Sequence, residues 1–191
     1  MYLSFDTETT GLPRNWKAPV TDLENWPRLV EIAWVLFDES GRESKAEGHL
    51  IKPNGFSIPG EATKIHGISP DEAMSSGSDL QTVLSAFNGA VQNSVVVISH
   101  NVSFDEKIVG AEMLRNKMPN VLGAAKKACT KEISTDYCRL PGKYGYKWPT
   151  LQELHQVLFS VGFSETHRAA DDARVCAKCF FELKRRGVSP D

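Results

Sequence analysis

The chain has 191 residues, of which 41% are hydrophobic, with a formal net charge of −2 and four cysteines. That length and apolar content predict one globular domain, 1–191, with a sizeable core, and the near-neutral charge excludes a protein held to nucleic acid by bulk electrostatics. With no apolar run of about 18 residues and no basic, apolar and cleavable leader, no membrane partner is expected and the chain reads as cytoplasmic, its thiols reduced and free of zinc.

Tyr2 to Glu8 predicts a strand whose period of two turns Asp6 and Glu8 to one face. Carboxylates held side by side repel, so one takes up a proton or a cation binds between them, and hard oxygen ligands favour Mg²⁺ or Mn²⁺ over zinc. The competing reading is a solvated strand rim or a turn cap. Leu12 to Arg28, with Trp16 and Trp26, has no strong period and predicts a long surface loop. Within it, the stretch from Pro13 to Pro27 is a candidate gate over a substrate channel. Val30 to Asp38 and Arg42 to Ile51 predict two strands joined as a hairpin across Glu39-Ser40-Gly41. A turn-rich passage containing Ile65-His66-Gly67-Ile68 follows. Leu80, Val83, Leu84, Phe87 and Val91 then recur at helical spacing, with Ser78 as the expected N-cap. Val95 to Ser99 is a short apolar run that suits a strand covered on both faces, which implies an α/β fold.

Two more acids stand out against helical periodicity. Asp105 opens the stripe Asp105, Ile108, Val109, Met113, and Asp172 opens the stripe Asp172, Val175, Cys176, Cys179, Phe180, Leu183. Its neighbour Asp171 shares a face with Arg174, Lys178 and Arg185 and is accounted for as a solvated helix acid. An ionised carboxylate on a core-facing stripe has to be protonated, paired or bound to metal. Taken singly, each is explained by a salt bridge or a helix end. Four carboxylates converging without matching bases are explained better by two divalent ions about 3.5 to 4 Å apart. His167, just ahead of the last helix, faces the same place, and the positive helix end favours its neutral, proton-accepting form. Alone it would read as a surface histidine near a cap. His49 and His155 read as structural or exposed, and His100 as a residue that orients its loop.

Residues 126–147 carry six basic side chains against Glu132 and Asp136, with Tyr137, Tyr144, Tyr146 and then Trp148 among them. The flat rings suit stacked bases and the lysines suit phosphates, or the segment is a solvated loop with aromatic anchors into the core.

Phe5-Asp6-Thr7-Glu8-Thr9-Thr10-Gly11-Leu12, His100-Asn101-Val102-Ser103-Phe104-Asp105 and His167-Arg168-Ala169-Ala170-Asp171-Asp172-Ala173 resemble, in order and spacing, the three motifs of the DEDDh exonucleases. This is the family of ribonuclease T and the proofreading epsilon subunits, and the resemblance runs from Tyr2 to about Phe181. It implies an RNase H-like mixed sheet of about five strands flanked by helices. It further implies 3′-to-5′ removal of nucleotides with two divalent cations, Mg²⁺ or Mn²⁺. Asp6, Glu8, Asp105 and Asp172 would be the metal ligands and His167 the general base. The backbone from Thr7 through Thr9 to Thr10, with Leu12, would cradle the terminal nucleotide, Phe104 would pack against it, and Asn101 and His66 would lie close by. For His66 a turn residue satisfied by the backbone is the alternative.

The implied partner is a nucleic-acid 3′ end, single-stranded or frayed. Few residues follow the last helix, so a free-standing enzyme is the simpler expectation, with a noncovalent polymerase subunit or a second copy as alternatives. A noncatalytic single-strand-binding module of the same fold is the competing reading, and the filled catalytic positions argue against it.

Overall fold

In this computed structural model residues 1–163 and 167–188 are described. Strands β1 (Tyr2–Thr9), β2 (Leu29–Phe37) and β3 (Glu43–Leu50) form an antiparallel meander, whose β2–β3 half is the expected hairpin. The β2–β3 turn is closed by Asp38, whose carboxylate accepts hydrogen bonds from Ser40 and Arg42. After helices α1 (Gly60–His66), α2 (Pro70–Ser76) and α3 (Leu80–Gln92), strand β4 (Val96–Ser99) enters parallel to β1. Helix α4 (Val102–Arg115) leads to β5 (Lys127–Cys129), which pairs parallel to β4. The main sheet thus has the order β3-β2-β1-β4-β5 and is mixed, α/β in class and five-stranded, with helices on both faces.

Short helices α5 (Thr130–Ile133) and α6 (Thr135–Cys138) and a small hairpin, β6 (Pro141–Gly142) with β7 (Gly145–Tyr146), precede α7 (Leu151–Phe159) and α8 (Ala169–Arg185). One face of the sheet packs Leu3, Phe5, Trp34 and Val97 against Val83, Phe87, Ile108 and Met113 of α3 and α4. The other packs Ile98 and Ala128 against Leu154, Leu158, Cys176, Cys179 and Phe180 of α7 and α8. Each buried side chain of this size stabilises by about 1.5–3 kcal/mol, so both faces hold the sheet firmly. The four cysteines are free thiols, three of them buried. Among the described residues no helix is long and apolar enough to cross a membrane.

Two expectations change. The N-cap of α3 is Asp79, whose Oδ2 accepts from the Thr82 amide at 2.9 Å, and not Ser78. Ser78 is occupied by backbone pairing with Leu50 and Lys52, which holds it in an extended bridge beside Ile51. The turn-rich passage contains two seven-residue helices. The second has Ser69 as N-cap and Pro70 at its first position, a start signal hidden by the shortness of the helix. The 12–28 segment is the irregular loop expected, anchored where buried Trp26 donates to the Pro19 carbonyl and Arg115 donates to the carbonyls of Leu23 and Trp26.

Candidate active site and metal centre

Pairing of β4 with β1 reaches only from Tyr2 to Ser4, so the second half of β1 projects past the end of β4. The chain leaves β4 through Asn101, which turns in the left-handed region (φ 83°) into α4. A crevice opens there, beyond the carboxyl ends of the parallel strands, where ligand sites of α/β sheets commonly lie.

Alternation along β1 sends Tyr2, Ser4, Asp6 and Glu8 toward α8. Tyr2 meets the rings of Phe180 and Phe181 at 5.9 and 5.4 Å, and the Ser4 hydroxyl donates to the Ala173 carbonyl at 2.7 Å. Helix α8 therefore runs opposite to β1, and Asp172, one residue before Ala173, arrives beside Asp6 and Glu8. One carboxylate oxygen from each of Asp6, Glu8 and Asp172 lies within 4.8 Å of the other two. The opposite row of β1 brings Thr7 to α4, where its hydroxyl donates to Asp105 at 2.7 Å and the Ser99 hydroxyl donates to the second Asp105 oxygen at 2.6 Å. Asp105 is buried, and both its oxygens are held by these hydroxyls.

The electrostatics match the geometry. Burial, then the charges of Asp105, Glu8, Asp172 and Glu31, hold the Asp6 carboxyl well above the usual range. Burial and the charges of Asp172, Glu31 and Asp105 push Glu8 up to about 8, with Arg168 opposing. Burial lifts Asp105 to about 6 against the hydrogen bonds from Ser99 and Thr7. Carboxylates that raise one another's pKa in this way attract a cation, and an all-oxygen donor set suits Mg²⁺ or Mn²⁺. Among the described residues this is the one cluster of acids, thiols or imidazoles close enough to hold a metal ion.

His167 lines a cleft of about 500 Å³ together with Asp6 and Asp172. Its backbone is left-handed (φ 49°), an uncommon conformation for a residue with a side chain. The two residues after it are clamped. Arg168 Nη2 donates to Glu31 Oε1 at 2.9 Å, its Nε donates to both oxygens at 3.2 Å, and the Ala169 amide donates to Oε2 at 3.0 Å. Helix α8 starts at Ala169, with Arg168 as its N-cap. Glu31, paired directly with Glu8 across the sheet, is a residue of this site that sequence reasoning missed. Its signal was present: one charge in the otherwise apolar strand Leu29–Phe37.

The expected substrate contacts divide. The Thr9 hydroxyl donates to the Gly11 carbonyl, and the Thr10 hydroxyl accepts from the Arg28 amide, so both shape the loop after β1. Leu12 is exposed, and Phe104 meets the Trp16 ring at 5.5 Å. His66 is buried, its Nδ1 accepts from the Ile68 amide, and burial lowers its pKa. It is the last residue of α1, and its buried Nε2 has no hydrogen-bond partner among the described residues. Asn101 accepts from Lys131 Nζ at 2.6 Å. His100 spans Thr130 Oγ1 at 2.9 Å and the Pro149 carbonyl at 3.1 Å, and burial pushes it down to about 4, the loop-orienting role expected. His49 stacks on Trp34, and His155 is buried between Phe159 and Phe163. In the basic aromatic segment Tyr137 packs into the core, whereas Tyr144, Tyr146 and Trp148 are exposed.

The RNase_T exonuclease family model matches residues 3–180. The DNA polymerase III subunit epsilon of Treponema pallidum (strain Nichols) is 32% identical over 180 residues, 94% of this chain and 74% of that one. Exonuclease I of E. coli, solved with a dT13 oligonucleotide, shares the fold with a TM-score of 0.77 at 18% identity. The match covers 97% of this chain, which spans 41% of the exonuclease I chain. Exonuclease X, solved with 5′ overhanging duplex DNA, superposes with a TM-score of 0.66 at 21% identity over 98% of this chain and 93% of its own. The mixed sheet and its helices are thus RNase H-like, and the chain belongs to the DEDDh exonuclease family.

Proposed function

We propose that this protein hydrolyses phosphodiester bonds at single-stranded or frayed nucleic-acid 3′ ends, in the 3′-to-5′ direction, with two divalent cations, Mg²⁺ or Mn²⁺. The observation that carries the reading is the approach of Asp6, Glu8 and Asp172 to within 4.8 Å of one another at a crevice. Asp105 adds its charge to Asp6. When bound, the cations would offset that charge, acidify the attacking water and stabilise the departing 3′ oxygen.

Asp6, Glu8, Asp172 and Asp105 are the proposed cation ligands. His167 accepts the water's proton as the water oxygen bonds to phosphorus and the bond from phosphorus to the 3′ oxygen breaks. That oxygen takes a proton from solvent. The products are a nucleoside 5′-monophosphate and a chain one nucleotide shorter with a free 3′ hydroxyl. Glu31 holds the His167 segment in place through Arg168 and Ala169. The loop after Thr7, with Leu12 and Phe104, receives the terminal nucleotide. Similarity to a polymerase III epsilon subunit supports testing a noncovalent polymerase partner by co-purification, with a homodimer as the other outcome.

Matched DNA and RNA oligonucleotides, labelled at the 5′ end, should shorten one nucleotide at a time in Mg²⁺ or Mn²⁺ and stay intact in EDTA. Loss from the 5′ end, or shortening that persists in EDTA, overturns the proposal. The ratio of DNA to RNA rates gives the sugar preference.

A further inference from the structure

The cleft that holds Asp6, Asp172 and His167 continues past them to Asn101, Lys131 and Trp148. Thr9, Thr10, Leu12 and Phe104, assigned above to the terminal nucleotide, do not line it. Phe104 belongs to α4, on one face of the sheet, and Trp148 lies three residues before α7, which packs on the other. A nucleic-acid strand cut at the carboxylates has a nucleotide on each side of the scissile phosphate. The wall opposite the terminal nucleotide must therefore meet its 5′ neighbour.

That wall is prepared for such a contact. The Trp148 side chain is 61% exposed, yet the backbone beside it is pinned. The Pro149 carbonyl accepts from His100, and Thr150 forms a reciprocal capping box with Glu153 at the start of α7. An exposed large ring on a rigid backbone loses little conformational freedom on binding. Lys131 Nζ sits 4.2 Å from the centre of the Trp148 ring and donates to Asn101, which is itself in the left-handed region. The ammonium retains further donors for an anion.

We propose that Trp148 and Lys131 form a subsite for the nucleotide on the 5′ side of the scissile bond, the indole stacking its base and the ammonium meeting its phosphate. The inference rests on the exonuclease reading above. Every base has a flat face, so the subsite confers dependence on strand length and not on sequence.

The test compares Trp148→Ala, Lys131→Met and Trp148→Phe on a single-stranded oligonucleotide and on the p-nitrophenyl ester of thymidine 5′-monophosphate, which has no 5′-side nucleotide. Trp148→Ala and Lys131→Met should raise KM for the oligonucleotide about tenfold, the scale of one stacked base, and affect the ester far less. Trp148→Phe should recover most of the loss. Equal losses on both substrates, or none on the oligonucleotide, overturn the subsite. Anisotropy of a labelled oligothymidylate in Ca²⁺ reads binding without turnover. If the unaltered protein cleaves neither substrate, the exonuclease reading fails, and the subsite is still decided by whether Trp148→Ala weakens this binding.

Discussion

Glu31 and Arg168 are joined by a two-nitrogen clamp, closest at 2.9 Å, that ties the middle strand of the antiparallel meander to the residue before α8. Glu31 is 5% exposed, and its second oxygen also caps the Ala169 amide. One carboxylate thereby fixes where α8 begins, and so where His167 and Asp172 stand relative to Asp6 and Glu8.

Removing that clamp should therefore cost more activity than a distant surface pair. Glu31→Ala frees a half-exposed guanidinium, which water can solvate, and a buried helix-end amide, a loss of about 1–3 kcal/mol of stability. It should lower kcat about tenfold or more, whereas Glu31→Gln, which can still accept from Ala169, should lose less. Thermal melting and steady-state kinetics on an oligonucleotide check both, and equal kcat in Glu31→Ala and the unaltered protein would rule out the positioning role.

His167 lines the cleft without joining the three-carboxylate cluster, so its removal should separate chemistry from cation binding. His167→Ala is expected to reduce kcat by about a hundred- to ten-thousandfold, the usual contribution of a general base. Calorimetric Mn²⁺ affinity should stay close to that of the unaltered protein. A matching collapse of Mn²⁺ affinity contradicts the assignment.

Asp6→Ala and Asp172→Ala should each abolish both measurable Mn²⁺ binding and exonuclease activity, because each removes a donor from the same cluster. Asp105→Asn keeps the shape, its one carbonyl oxygen able to accept from one of the Thr7 and Ser99 hydroxyls while its amide donates to the other, so it should fold while losing activity. A fully active Asp6→Ala protein contradicts the metal centre.

Stability without metal should fall as pH rises. A carboxyl whose folded pKa lies above its unfolded value binds its proton more tightly when folded, so its stabilising effect is complete in acid and is lost through the folded pKa. For Glu8 that window runs from the ordinary 4.5 to about 8, and for Asp105 from 3.8 to about 6. In EDTA the melting temperature should therefore decline between about pH 5 and about pH 8.5, and Mg²⁺ should restore it most at the alkaline end. A melting temperature in EDTA that rises over this range refutes the mutual repulsion of these carboxylates.

Much of this architecture was legible residue by residue. Local patterning is short-ranged physics: the period of two placed Asp6 and Glu8 on one face of β1, and the 3.6-residue stripe separated Asp172 from Asp171, which the structure finds exposed and within 3.5 Å of Arg174. Illegible elements were those whose signal is too short or nonlocal, such as α1 and α2, the three-residue strand β5, and Asp79 displacing Ser78 as a cap once Ser78 was drawn into pairing beside Ile51. The site divides the same way. Asp105 and Asp172 were recognisable by their misfit, because an acid on an apolar stripe needs a partner wherever the stripe ends up, whereas Asp6 and Glu8 stood out as a pair on one strand face and His167 only in company with the acids.

The sequence by itself determined which residues carry charge into the interior and on which face of its own helix or strand each one lies, since side-chain direction follows from local backbone geometry. Only the tertiary structure decided that α8 runs opposite to β1, locked by the Ser4 hydroxyl on the Ala173 carbonyl, so that the carboxylates meet at one end of the sheet. It also decided that Asp105 is gripped by Thr7 and Ser99 and that Glu31 clamps Arg168. Those pairings join residues up to 169 positions apart, and no local pattern encodes a distance that packing alone sets.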